Sequence, residues 1–289
     1  MISPKPLPRK IQTPKKPPQS SKRMTIVFGI LQSDSIVFAA DTEETGEFMK
    51  ISTPKLYSYE RPNGECVVIG GAGSSFSVET IQQRLGKSFL ADSASFEEIG
   101  ETIIKQFHGE QVTIDPNRDF WLLIGASFRT KEGGYAHRLW ISEHGSLRDT
   151  DGVAAIGIGT EIARPLLKKY AIRSNLPITE LSSIHIMRLV KEQAHYCGKE
   201  SMVWTLRGPD LFKMPGRHMT KAEELSRRYD ELSRNIFSAL FASEASLPYI
   251  DSKMRMLRDD YVKLLDELKI EQASEMQINE HFRNNPEDA

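Results

Sequence analysis

The order in which strand-type and helix-type segments follow one another constrains this chain more than any other feature. Two short β-rich runs, Ile26–Leu31 and Ile36–Ala40, flank a polar turn at Gln32–Ser35. A polar excursion over Thr42–Pro54 leads to Lys55–Tyr59, an Asn63-Gly64 turn and an apolar strand at Cys66–Gly71. Apolar residues then recur at helical spacing at Phe76, Val78, Ile81, Leu85 and Phe89. A second helix starts at Ser95, with Glu98 completing a capping box, and buries Phe96, Ile99, Ile103 and Phe107. Strands resume at Phe120–Phe128, Tyr135–Ser142 and Val153–Ile158. Two more helices follow, one carrying Ile162, Leu166, Leu167 and Tyr170, the other running from about Thr179 to Tyr196 and ending at Gly198. Ser201–Arg207 is a last strand. Strands and helices arriving in blocks predict an α+β fold with antiparallel sheets. Two sheets face to face, with a helix pair on each outer side, would bury every apolar face.

The ends differ from this middle. Residues 1–23 hold six prolines among seven Lys/Arg and no acid, so they bury almost nothing. They read as a disordered tail, a propeptide or the product of too early a start codon, with a basic interaction arm as the alternative. Beyond Pro215 one stripe, Leu225, Tyr229, Leu232, Ile236 and Leu240, precedes a break at Leu247-Pro248. A second stripe runs Met254, Leu257, Tyr261, Leu264 and Leu268. Together they predict a helical hairpin over 216–289, packed on the chain's own domain or offered to a partner, with frayed residues from about Ser274. The domains are therefore 1–23, 24–215 and 216–289.

Net charge is −1, which gives no argument for nucleic acid or an anionic membrane. The longest apolar runs are too short to span a bilayer, and no apolar segment follows the basic N-terminus to make a secretory signal. Two cysteines, Cys66 and Cys197, suggest neither a disulfide framework nor a zinc site, and fit a reducing cytoplasm. No cofactor motif and no Walker-type loop is present, so energy-dependent unfolding would need a separate ATPase or adaptor.

The opening stretch, MTIVFGILQSDSIVFAAD, carries the chemistry. Met24 stands directly before Thr25, and removal of residues up to Met24 would leave a threonine with its own α-amine, a nucleophile with a built-in base. Taken with Ala39-Ala40-Asp41, Pro54-Lys55-Leu56, Gly70–Ser74, Leu139–Ser142 and Ala155–Gly159, the stretch resembles proteasome β-type subunits and bacterial proteasome-like threonine peptidases. The resemblance covers about residues 24–212. It implies the N-terminal nucleophile hydrolase fold, a four-layer αββα sandwich, here with a C-terminal helical extension. It also implies hydrolysis of peptides or unfolded proteins inside a homo-oligomeric ring.

Carried over by position, Thr25 would be the nucleophile. Lys55 would favour the neutral amine and the alkoxide, with Asp41 pairing to it, and the Gly73 N–H would face the oxyanion. Gly71 and Ser75 would bind substrate, Gly71 lining a roomy pocket for the residue before the cut. No metal is implied. The chain departs from the family at Ile158, where a serine is usual, and at Ala194 and Cys197, where an aspartate and a serine are usual. His195 stands next to them as a possible substitute. The Asp41–Lys55 interval is two residues short, and Met24 replaces the glycine that normally precedes the threonine. Two alternatives stay open: a non-catalytic proteasome-like scaffold, and an N-terminal-threonine amidase acting on a small amide.

Overall fold

The computed structural model describes residues 25–45, 50–52, 54–91, 96–114, 120–143, 145–171, 173, 175–194, 197–198, 200–241 and 247–284. In chain order these form β1 (Ile26–Leu31), β2 (Ile36–Asp41), β3 (Glu43–Thr45), β4 (Lys50–Ser52), β5 (Leu56–Glu60) and β6 (Cys66–Gly73). Then come α1 (Ser75–Ala91), α2 (Phe96–Ile114), β7 (Phe120–Arg129), β8 (Tyr135–Glu143), β9 (Ser146–Asp149) and β10 (Val153–Gly157). The chain continues through α3 (Thr160–Tyr170), α4 (Leu176–Gln193), β11 (Ser201–Arg207), β12 (Asp210–Lys213), α5 (Gly216–Phe241) and α6 (Leu247–Asn284). Residues 1–24, Ser95 and His195 lie outside the described set.

Two five-stranded antiparallel sheets face each other, ordered β10-β1-β2-β11-β12 and β5-β6-β7-β8-β9, and β3 and β4 form a separate ribbon. Strand alternation sorts the side chains into layers. Ile26, Phe28 and Ile30 of β1 point to the helices, packing with Ala163, Leu167, Ile184 and Met187 of α3 and α4. Val27 of β1 and Ile36, Phe38 and Ala40 of β2 point the other way, against Val68, Leu123 and Leu139 of the second sheet. Both faces are covered, which is why these strands read as continuous apolar runs. The second sheet's outer face holds Ile69, Leu122, Ile124 and Trp140 against Ile81, Leu85, Phe96 and Phe107 of α1 and α2. The sheets meet so closely that a Cβ on Gly125 would stand 2.2 Å from the Phe38 ring.

The α+β sandwich expected from the block order is thus the observed one, with the C-terminal helices outside it. Met219, Ala222 and Leu225 of α5, and Leu257, Leu264 and Leu268 of α6, join the core on the outer side of α4. Several details differ. Helix α4 starts at Leu176, not Thr179, because the Asn175 side chain accepts the Ile178 N–H and Pro177 suits the first turn. It stops at Gln193, with Ala194 extended. Phe76 is 61% exposed, off the buried stripe of Val78, Ile81, Leu85 and Phe89. Helix α6 runs past Ser274 to Asn284, held where Gln272 bonds Glu180 and Met276 lies beside Phe212. No helix among the described residues is long and apolar enough to cross a membrane.

Candidate active site

The site opens at the N-terminal end of β1, where the two sheets splay. Thr25 shares the inter-sheet side of β1 with Val27, and its side chain therefore faces the second sheet. Pro54, Lys55 and Tyr57 come from the entry to β5, Gly71 and Gly73 from the end of β6, and Ser75, Val78 and Glu79 from the first turns of α1. All of them line one cleft with Thr25. Lys55 is fixed beside the glycines because its carbonyl accepts the Gly71 N–H at 3.3 Å.

Asp41 does not line the cleft. It is fully buried at the end of β2, the strand next to β1, where one carboxylate oxygen accepts the Ile26 N–H at 3.1 Å and the other accepts the Gly198 N–H at 2.9 Å. A carboxylate holding two backbone donors is satisfied without water. It ties the residue after Thr25 to the loop after α4. Of the candidate residues, five (Thr25, Lys55, Gly71, Gly73 and Ser75) meet in the cleft and the sixth braces its floor.

Glycine is required at two points. Gly73 has φ 109°, a conformation that L side chains rarely adopt, at the bend from β6 into α1. Gly157 has φ 94°, and a Cβ there would stand 1.9 Å from the Thr25 carbonyl oxygen. Gly157 pairs with Ile26 in the β1–β10 ladder, so it sets how Thr25 leaves the sheet.

The pocket beside Gly71 is not roomy. A Cβ on Gly71 would lie 2.2 Å from a Val78 methyl, so Val78 occupies the space the missing side chain leaves. The free volume of the cleft is about 30 Å³, enough for a water or two. Thr25 is 4% exposed.

The altered positions also have definite places. Ile158 is 42% exposed, and Ala194 caps the C-terminus of α4. Cys197 is half-buried, and its N–H donates to the Ala194 carbonyl at 3.0 Å, which orients the Gly198 N–H toward Asp41. Thr160, at the start of α3, is buried, and its hydroxyl has no hydrogen-bond partner among the described residues. Gly157, Val78, Glu79, Gly198 and Thr160 were not picked out from sequence as site residues. Gly157 was legible only within Ala155–Gly159, Val78 only as a core position of the first helix and Gly198 only as the end of the fourth. Among the described residues no cluster of three His, Cys, Asp or Glu side chains could hold a metal.

No family model matches the sequence, and no curated protein matches it. Solved structures do share its shape. Anbu (ancestral beta-subunit) from Yersinia bercovieri aligns with TM-score 0.62 and 16% identity, over 77% of this chain and 99% of its own. Anbu from Hyphomicrobium sp. strain MC1 aligns with TM-score 0.61 and 14% identity, over 77% of this chain and 100% of its own. The helical assembly of the Anbu complex from Pseudomonas aeruginosa aligns with TM-score 0.63 and 12% identity, over 78% of this chain and 100% of its own. Along that length the chain has the fold of the Anbu ancestral beta-subunits.

Proposed function

We propose that this protein is a subunit of a proteasome-like peptidase, in which Thr25 becomes the N-terminus and cuts peptide bonds. One observation carries the reading: Thr25 and Lys55 come from opposite sheets, yet share a cleft with Gly73, whose left-handed backbone turns at the cleft wall. In this reading the Thr25 hydroxyl attacks the scissile carbonyl and the α-amine takes its proton. That amine titrates near pH 8, so a useful fraction is neutral under ordinary conditions. The Gly73 N–H stabilises the oxyanion, and collapse of the intermediate expels the amine product, protonated by the α-ammonium. Water then releases the acyl group from the Thr25 ester. The Lys55 charge favours the neutral amine and the alkoxide. Asp41 holds the backbone of Ile26, and so the aim of Thr25. Gly71 and Ser75 take the substrate, and Val78 restricts the residue before the cut to a small side chain. With Ile158 lacking a hydroxyl, the Thr160 hydroxyl, which has no partner among the described residues, is the polar group assigned to the amine.

The helical assembly of the Anbu complex from Pseudomonas aeruginosa supports a homo-oligomer here, with any ATPase or adaptor as a separate chain. The test is intact mass and N-terminal sequencing of the purified protein, together with a peptide panel. A chain beginning at Thr25, with turnover abolished in Thr25→Ala, is the expected result. Retention of the residues before Thr25 with no peptide turnover overturns it. The second reading is a non-catalytic scaffold, favoured by the loss of polar side chains at Ile158 and Ala194. Turnover of small amides without peptides would instead mark an amidase.

A further inference from the structure

A second cavity, of about 480 Å³, lies away from the Thr25 cleft, between the α3–α4 pair and the C-terminal helices α5 and α6. That volume falls within the range of small-molecule sites. Its walls are mainly apolar and aromatic, among them Tyr170, Leu181, Leu232, Leu257 and Tyr261. His185 of α4 projects from the domain side and is 9% exposed.

The hydrogen bonds around His185 decide what its ring offers the cavity. Its Nδ1 lies 2.7 Å from the Ser226 Oγ, which also accepts the Arg188 Nε–H at 2.7 Å. No other partner of the Ser226 hydroxyl is found among the described residues, so its proton goes to Nδ1. A neutral imidazole that accepts at Nδ1 carries its proton on Nε2. Burial lowers the His185 pKa, and the Arg188 charge adds to this against the opposing pull of Asp230. The ring is held edge-on to Tyr170 at 4.9 Å and to Tyr229 at 5.9 Å. It is therefore a fixed, neutral N–H donor in an apolar space, with no protein acceptor for Nε2 among the described residues.

A donor in such a place is matched by a ligand with one acceptor and a large apolar body. An anion is disfavoured. Arg188 is already engaged by Asp230 and Glu192, and Arg258 at the rim by Asp259. Among the described residues lining the cavity there is no other cation; Lys169, whose charge reaches His185 from outside the lining, lies over the Tyr170 ring at 4.8 Å, and the Asp230 carboxylate lies nearby. We propose that this cavity binds an uncharged, mainly apolar molecule bearing a single accepting carbonyl, such as a medium-chain ester or ketone, with the carbonyl on the His185 Nε2–H.

The test is calorimetric titration and thermal unfolding of the full chain with methyl octanoate, octane and octanoate. Saturable binding of the ester is expected, about tenfold tighter than octane. A rise in Tm of about 5 °C is expected at a hundredfold excess over Kd. In His185→Phe, which keeps an aromatic ring there, ester and alkane should bind alike. Ser233→Trp, which fills the cavity from α5, should abolish binding of both. Absence of saturable ester binding overturns the proposal. Octanoate binding more tightly than the ester overturns the neutral assignment. Unchanged ester binding in Ser233→Trp overturns the location.

Discussion

Gly157 lies against Thr25 so closely that the smallest side chain at 157 would overlap the Thr25 carbonyl oxygen. Backbone is the obstacle, so it has little room to yield. Gly157→Ala is expected to cost about 3 kcal/mol or more, combining overlap with a strained positive φ. Denaturant unfolding reads this directly. Peptide turnover measured on the fraction that folds should fall further, because the change displaces the proposed nucleophile.

The Asp41 carboxylate accepts two backbone N–H groups, from Ile26 and Gly198. Asp41→Asn turns one acceptor into an NH2 group that must face a donor. A loss of about 2–3 kcal/mol is expected, with the chain still folded at room temperature. Hydrogen exchange should show the Ile26 and Gly198 amides losing protection well before the strand centres. Retained protection at both would refute the brace.

Glu180 of α4 is buried between β11 and α6, accepting from the Thr205 hydroxyl and the Gln272 amide, while its second oxygen has no partner among the described residues. Burial pushes its pKa up to about 7. A carboxyl raised in the folded state stays protonated there after the unfolded chain has released its proton. Its contribution is thus complete below about pH 4.5 and lost as pH rises to about 7, by about 3 kcal/mol in all. Glu180→Gln should flatten that part of the stability profile. Above pH 7 the variant should be the more stable protein, as chemical denaturation at pH 5 and pH 8 will show.

Val78 fills the space beside Gly71. Val78→Ala should cost about 1–3 kcal/mol in stability and enlarge the cleft. Under the peptidase reading, kcat/KM should shift about tenfold toward peptides with bulkier residues before the cut. An unchanged preference would place the substrate side chain elsewhere.

Arg188 joins α4 to the C-terminal helices through Ser226 and Asp230 on α5, and it also pairs with Glu192. Its side chain is 5% exposed, so removing it strands partners that water cannot fully reach. Arg188→Ala is expected to cost about 3–5 kcal/mol. Limited proteolysis should then cut within α5 and α6 before it cuts the sandwich.

The layers are legible in the sequence because β1, β2, β6 and β7 are covered on both faces and advertise this as unbroken apolar runs. The short strands are not. Residues 146–149 form a four-residue edge strand of mostly exposed side chains, and residues 210–213 one in which only Phe212 is buried, too short a pattern to tell from a turn. In the cleft, Thr25, Lys55 and Gly73 were legible as residue types tied to known chemistry. Gly198 was not, since it contributes a backbone N–H and every residue type but proline supplies one. Val78 looked like one more core position of α1, and only the approach of α1 to β6 makes it a plug. The C-terminal stripes showed that two helices had apolar faces, but not that α4 would carry His185 and Arg188 toward them.

The hydrogen bond from Gly198 to Asp41 spans 157 positions of chain. During synthesis β1 and β2 emerge early, but the brace beneath Thr25 has no donor from residue 198 until nearly the whole sandwich has been made. Gly157 arrives late as well. The cleft is therefore finished last although Thr25 is made first. Any cutting power that depends on the aim of Thr25 stays dormant on a growing or half-folded chain, a delay set by the order of the sequence itself.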